Sequence, residues 1–157
     1  DARFDEDPVL LTAPTEGEET VADYTYLGVP MGRHPMQLLR PHLERFGVQP
    51  SSILRDYPNG RLARASGLVT HRQRPETAKG TIFVTLEDET GPVNIIIWPD
   101  LVERYRKEVV TARLMTVYGI WQRDELTGGR VMHLVARRVV DHTPLLGRLQ
   151  ARSRDFH

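Results

Sequence analysis

Between residues 80 and 98 the chain alternates aliphatic residues with other types, as a half-buried β-hairpin does. Every second residue from Ile82 to Leu86 is aliphatic, which is the period of a strand with one buried face. The next five residues, Glu-Asp-Glu-Thr-Gly, supply a turn, and the run up to Trp98 supplies a second strand. If the aliphatic face points to a core, Phe83 faces outward, either uncovered or buried under a neighbouring element.

Three further strands and one helix are predicted around this hairpin. Residues 61–73 are rich in β-forming types and end at a loop in which Pro75 and Gly80 stop the strand. Residues 113–123 alternate again, and a glycine-rich turn leads into a last strand. The predicted strands are 61–73, 81–86, 92–98, 113–123 and 130–141, with a helix at 99–109. This order predicts a mainly β fold, a five-stranded OB-fold barrel over residues 61–141.

Charge is distributed unevenly along the chain. There are 21 basic and 21 acidic residues in total, but residues 1–23 hold eight of the acids and one arginine. Residues 24–157 therefore carry 20 bases against 13 acids, a net charge of +7. We expect residues 1–18 to form a flexible, solvated acidic linker. The basic remainder favours a polyanionic partner.

Residues 19–60 are predicted to form a helical adapter ahead of the barrel. Residues 19–27 can form a short helix, and Pro35 stands where the start of a second helix tolerates proline. Pro41 is expected to kink or break this second helix. Four apolar residues share one of its faces: Met36, Leu39, Leu43 and Phe46. After the barrel, residues 142–157 are predicted to be a C-terminal tail.

Five short stretches carry a distinctive sequence. They are Leu-Gly-Val-Pro-Met-Gly-Arg-His-Pro-Met at 27–36, Gly-Leu-Val at 67–69, Thr-Leu-Glu-Asp-Glu-Thr-Gly at 85–91, Asn-Ile-Ile-Ile-Trp-Pro at 94–99 and Ala-Arg-Ser-Arg-Asp-Phe-His at 151–157. Together they resemble the C-terminal part of bacterial C-family DNA polymerases, above all the error-prone translesion paralogue of the replicative α subunit. The resemblance covers residues 19–157. Anticodon-binding OB domains of class II aminoacyl-tRNA synthetases share the turn but lack the first and last stretches.

The resemblance implies a noncatalytic OB module that binds single-stranded or template-primer DNA for an error-prone polymerase in translesion synthesis. It also implies an accessory translesion protein that links the polymerase to the sliding clamp, so a protein-docking module is the alternative. Exposure of Ile96 together with Trp98 would favour docking. An anticodon-binding domain is a further alternative.

A face that binds single-stranded DNA needs rings that stack on bases and basic residues that hold phosphates. The candidates are Arg72, Arg74, Lys79, Phe83, Asn94, Trp98, Trp121, Arg123 and Arg130.

No catalytic or metal-binding residue is predicted in this chain. Residues 87–89 are acidic but fall in a tight turn, where successive side chains diverge, so a structural or solvated role is favoured over metal binding. The six histidines lack zinc-ligand spacing. The resemblance implies that the catalytic aspartates and Mg²⁺ belong to the palm domain of the parent polymerase, so no cofactor is expected here. Without cysteines, a secretory signal or a membrane-spanning apolar run, we expect a cytoplasmic location and no membrane partner.

Overall fold

The computed structural model describes residues 33–155, so the predicted linker at 1–18 and the predicted helix at 19–27 lie outside the described residues. The helices are α1 Pro35–Glu44, α2 Ser51–Leu54, α3 Pro99–Arg104, α4 Arg106–Thr111 and α5 Pro144–Asp155. The strands are β1 Leu62–Gln73, β2 Ile82–Asp88, β3 Gly91–Ile97, β4 Leu114–Arg123 and β5 Met132–Asp141. None of the helices in this range is long and apolar enough to cross a membrane.

The five strands close into a barrel in the order β1-β2-β3-β5-β4. β1 has 12 residues, of which those before Leu68 pair with β4 and those after it pair with β2. Gly67 lies at this junction, where a Cβ atom would come within 2.9 Å of the Glu87 backbone. β3 and β5 pair in parallel, with Ile95 opposite Leu134, and so complete the ring. The predicted mainly β fold and five-stranded OB-fold barrel are confirmed.

Aliphatic side chains fill the interior of the barrel. The alternation predicted for the hairpin is present, since Ile82, Val84 and Leu86 are buried and Phe83 is exposed. These three belong to one continuous apolar core together with residues from every strand and from α3 and α4. Burying an aliphatic side chain of this size stabilises a fold by about 1.5–3 kcal/mol. The buried aliphatic side chains of β2 therefore determine which face of the hairpin is exposed to solvent.

A second apolar cluster lies outside the barrel, where α1 and α5 pack together. Within the predicted C-terminal tail at 142–157, residues 144–155 form α5, because apolar residues at 145, 146 and 149 share one helix face and bury it. The cluster consists of Met36, Leu39, Leu43, Val48, Leu68, Leu114, Leu145, Leu146 and Leu149.

Three details of the helices differ from the sequence-based expectation. The helix predicted at 99–109 is two helices, because Tyr105 leaves the helical region with φ −116° and ψ 32°. Pro41 lies inside α1 and does not break it. Phe46 was expected on the buried face of α1 but is exposed, because α1 ends at Glu44 and Phe46 follows in the turn before Gly47.

The acidic turn between β2 and β3 fastens the helical segment to the barrel. Asp88 is buried, and its Oδ1 accepts hydrogen bonds from the backbone nitrogens of Thr90 at 2.7 Å and Gly91 at 3.1 Å. Its Oδ2 accepts a hydrogen bond of 2.8 Å from the backbone nitrogen of Ser51, the first residue of α2. Asp88 therefore has the structural role that the sequence favoured for this turn. Among residues 33–155, no group of three or more His, Asp or Glu side chains is arranged to hold a metal ion.

Candidate nucleic-acid interface

β1, β2 and β3 present two rows of outward-facing side chains. In the first row, Phe83 of β2 lies between Gln73 of β1 and Ile96 of β3. The Phe83 side chain is 36% exposed, and the outward orientation predicted for it is confirmed. The second row consists of His71, Thr85 and Asn94. Asn94 is exposed, with its Oδ1 3.5 Å from Thr85 Oγ1. We name these two rows the front face.

Trp98 extends the front face beyond the end of β3. Its backbone is still extended, with φ −68° and ψ 158°, and its side chain is 52% exposed. Ile96, two residues earlier, is half-buried on the outward side of β3. Phe83, Ile96 and Trp98 therefore supply apolar surface at one end of the front face, and Asn94 supplies an amide beside it.

The loop between β1 and β2 borders the same end of the front face. It contains a single 3₁₀ turn at Glu76–Ala78, after which Lys79 adopts the left-handed region with φ 52°. Lys79 is exposed, and Arg74 is half-buried with interactions of its own. A Cβ atom on Gly80 would lie 3.6 Å from the Pro99 side chain, so the loop runs close to the start of α3. Trp98 and Lys79 are thus brought to one region by elements distant in sequence.

Arg72 was predicted to hold phosphate, and the structure assigns it a different role. Its Nε donates a hydrogen bond of 2.7 Å to the carbonyl oxygen of Val109, and its Nη2 donates to the carbonyl oxygen of Ala112. The last carbonyl groups of a helix have no partner within the helix. Arg72 therefore caps the C-terminal end of α4 and joins it to β1. The structure thus gives Arg72 an internal role, and its predicted contact with phosphate stays a prediction.

Arg123 is also used internally, at the junction of β4 with the segment before β1. Its Nε donates to the carbonyl oxygen of Tyr57 at 2.7 Å, its Nη1 donates to that of Gly129 at 2.9 Å, and its Nη2 donates to that of Arg55. These bonds engage all three nitrogens of the guanidinium, and the predicted phosphate role of Arg123 stays a prediction. Arg130 remains on the surface of the β4–β5 loop, with one hydrogen bond from Nε to the carbonyl oxygen of Thr127.

Trp121 was predicted to stack on a base but lies in the barrel core, with 3% of its surface exposed. Met115 and Val117 are also buried in that core, and Tyr118 on the alternate face of β4 is only half-buried. The odd-numbered positions of β4 therefore point inward, which removes Trp121 from the candidate interface.

His133 lies near the start of β5, after the β4–β5 loop. Burial lowers the pKa of its imidazole, and the charge of Asp124 offsets this effect only in part, so the net pKa is below 6.5. The ring is therefore mainly neutral at pH 7. With Asn59, Gln122, Arg123 and Asp124 it borders a small polar depression of about 340 Å³.

The barrel matches a known family of domains. A family model described as "OB-fold nucleic acid binding domain" and named tRNA_anti-codon matches residues 63–141, half of the chain and almost all of the barrel. The chain belongs to this OB-fold family. Among solved structures, the OB-fold chain is similar to asparaginyl-tRNA synthetase from Pyrococcus horikoshii, with 20% identity and a TM-score of 0.48 over 67% of this chain and 29% of that one.

Two similar curated proteins are bacterial error-prone DNA polymerases. The OB-fold chain is 58% identical over 156 residues to the error-prone DNA polymerase of Ralstonia nicotianae and 54% identical over 152 residues to that of Bordetella parapertussis. These matches cover 99% and 94% of the chain but only 14% of each relative. The resemblance to error-prone DNA polymerases is therefore confirmed, and the OB-fold chain spans about one seventh of their length.

Four residues of the front face were not predicted as site residues: His71, Gln73, Thr85 and Ile96. Each follows from the strand register, since residues opposite one another on neighbouring strands share a face. Gln73 and Ile96 lie opposite Phe83, Thr85 lies opposite Asn94, and His71 lies opposite Thr85. Alternation within β1 indicates that His71 and Gln73 share a face, but not which face that is. The register shift between Val69 and His71 meant that the sequence alone could not assign their parity.

Proposed function

We propose that this OB-fold domain binds single-stranded DNA on its front face, as a noncatalytic part of an error-prone DNA polymerase. The observation that carries the proposal is the exposed ring of Phe83, with Asn94 in the adjacent row. Every base has a π-face, so an exposed ring binds bases with little sequence preference, at about 1–3 kcal/mol per stacked base. Arg74 and Lys79 on the β1–β2 loop and Arg130 on the β4–β5 loop would contact phosphates.

In the whole polymerase, the front face would guide the single-stranded template near the active site during translesion synthesis in the cytoplasm. Phosphoryl transfer requires carboxylates that hold divalent ions. This proposal assigns those carboxylates and Mg²⁺ to the palm domain of the parent polymerase. The barrel contributes position and affinity.

Titration of the chain with fluorescently labelled oligo-dT at two salt concentrations tests this proposal. We expect measurable binding at low salt that weakens as salt rises, with a log–log slope of roughly −0.7 per phosphate contact. An abasic strand of equal length is the control, because it keeps the phosphates and removes the bases. The proposal fails if the chain does not bind oligo-dT or binds the abasic strand equally well. Stronger binding of an oligo-U RNA would instead favour the anticodon-type alternative, since the 2′-hydroxyl distinguishes RNA.

A second candidate function is docking of an accessory translesion protein on the same face. The observation that favours it is the apolar surface formed by Trp98, which is 52% exposed, with Ile96 and Phe83 beside it. Contiguous apolar surface is a poor track for phosphates and a good protein interface. If Trp98→Ala abolishes capture of the purified accessory protein and leaves DNA affinity unchanged, docking is the main role.

A further inference from the structure

A second surface, on the side of the barrel formed by β1, β4 and β5, combines arginines with aromatic rings. Arg64, Tyr118 and Arg138 lie opposite one another across the three strands. The guanidinium carbons of Arg64 and Arg138 lie 5.1 Å and 5.2 Å from the centroid of the Tyr118 ring. Both distances are within the range of a cation–π interaction. We name this surface the back face.

A cleft of about 400 Å³ opens on the back face. This volume is within the range of small-ligand sites, about 300–1,000 Å³. All of the residues that line the cleft are neutral or basic, among them Tyr57, Leu62, Arg64, Tyr118 and Arg137. Arg61 contacts one of these lining residues, with its guanidinium carbon 4.0 Å from the centroid of the Tyr57 ring. The cleft therefore offers cations and rings in the combination that single-stranded nucleic acids bind.

The Arg64 guanidinium is held in place before any ligand arrives. Its Nη1 donates a hydrogen bond of 2.6 Å to the carbonyl oxygen of Phe46. Gly47 has a positive φ of 74°, and a Cβ atom there would lie 3.1 Å from the same nitrogen. A glycine thus gives the guanidinium room against the backbone, and the Tyr118 ring contacts it as well. Ordering an arginine in advance lowers the entropy cost of binding a phosphate.

We propose that the back face is a second binding site for single-stranded DNA, separate from the front face. Guanidinium groups match phosphate oxygens in pairs, and Arg64 and Arg138 are exposed. An acidic protein segment would find the same cations, but the rings of Tyr57 and Tyr118 beside them favour a ligand that also carries bases. The back-face proposal rests on the proposed function only because both faces would bind single-stranded DNA.

Chemical-shift mapping of the ¹⁵N-labelled chain with a short oligo-dT, about 6 nucleotides long, tests the back face and the front face separately. We expect the amides of residues 62–64, 118–120 and 137–138 to shift, and those of residues 83 and 94–98 to shift independently. Arg64→Gln combined with Arg138→Gln should weaken the binding that the first set of shifts reports and should leave the second set unchanged. The salt slope of oligo-dT binding at the back face should fall by roughly 1.4, for two phosphate contacts at 0.7 each.

Arg104→Gln combined with Arg106→Gln is the matched control, since it removes two exposed charges from α3 and α4. This control should keep both sets of shifts, and Arg64→Lys with Arg138→Lys should keep most of the salt slope. Back-face amides that do not move with oligo-dT, or that move equally with inorganic phosphate alone, would overturn the second site. If only the front-face amides fail to move, the front-face proposal fails and the second site stands.

Discussion

The guanidinium of Arg40 on α1 forms a two-point ion pair with the carboxylate of Glu89 in the β2–β3 turn. Nε and Nη2 donate to Oε2 and Oε1, both at 2.8 Å, and Nη2 also lies 3.4 Å from Asp88 Oδ2. The side chains of Arg40 and Glu89 are mostly buried. Together with the hydrogen bond from Ser51 to Asp88, this pair attaches the helices outside the barrel to the hairpin that carries Phe83.

We predict that Arg40→Gln lowers the free energy of unfolding by about 1–3 kcal/mol, between the values for exposed and fully buried ion pairs. The loss arises because the Glu89 carboxylate keeps its burial without its partner. Urea unfolding measures the change. Arg106→Gln is the control, because the pair of Arg106 with Glu103 is exposed and should contribute at most about 0.5 kcal/mol. Equal effects from the two variants would contradict the prediction.

The Arg40–Glu89 pair should also weaken in acid. Burial raises the pKa of the Glu89 carboxyl, but the hydrogen bonds and charge of Arg40 lower it more, so the net pKa is below 4.5. The unfolded chain therefore takes up the proton first as pH falls. The contribution of the Arg40–Glu89 pair to folding stability is fully present above pH 4.5 and is lost as pH falls through the folded-state pKa of Glu89. Urea unfolding at a series of acidic pH values should show a smaller loss in Glu89→Gln than in the unaltered chain.

Histidines set a second pH dependence at higher pH. Burial lowers the pKa of His34, His133 and His142 below 6.5. The unfolded chain binds these protons first, so the stability that the neutral rings contribute is present above pH 6.5 and declines below it. We predict that thermal stability falls between about pH 7.5 and about pH 5.5 and that His142→Gln reduces this fall. A melting temperature that rises as the pH is lowered from about 7.5 to about 5.5 would contradict the prediction.

The period of alternation made the fold and the direction of Phe83 predictable. In β2 the aliphatic residues occupy only the even-numbered positions, so only one face of the strand can point to the core. In β4 both parities carry apolar residues, Leu114 and Ile120 on one and Met115 and Trp121 on the other. Alternation alone therefore could not assign Trp121. Which face of β4 points to the core depends on its pairing register with β1 and β5. The sequence of β4 alone does not reveal that register.

The internal hydrogen bonds of Arg72 and Arg123 could not be predicted from the sequence for a related reason. A basic residue beside a loop is a candidate phosphate ligand from sequence, and its other possible partners lie far along the chain. Arg72 donates to carbonyl groups 37 and 40 residues away, and Arg123 to carbonyl groups 66 and 68 residues away. Only the folded arrangement brings those carbonyl oxygens within reach. Lys79 and Arg130 kept surface positions.

Phe83→Ala should separate binding from folding. We expect a loss of about 1–3 kcal/mol in oligo-dT affinity, because one stacked base loses its ring. Thermal stability should change little, since the Phe83 ring lies outside the barrel core. Trp121→Ala, in contrast, should cost about 3–5 kcal/mol of folding stability. Ile53→Ala is the control, because it also removes an exposed apolar side chain and Ile53 is far in sequence from the residues of the front face. Unchanged affinity in a folded Phe83→Ala variant would remove the ring from the interface.

Arg72 and Lys79 should respond in opposite ways to removal of their charge. Arg72→Gln removes two hydrogen bonds at the end of α4 and should lower the free energy of unfolding by about 1–3 kcal/mol, with the salt slope of DNA binding unchanged. Lys79→Gln should alter stability by at most about 0.5 kcal/mol. It should reduce the salt slope by roughly 0.7, because one phosphate contact is lost. Lys107→Gln on α4 controls for net charge, since Lys107 is also exposed. If Arg72→Gln leaves stability intact and reduces the slope, Arg72 is a phosphate ligand and its capping role is secondary.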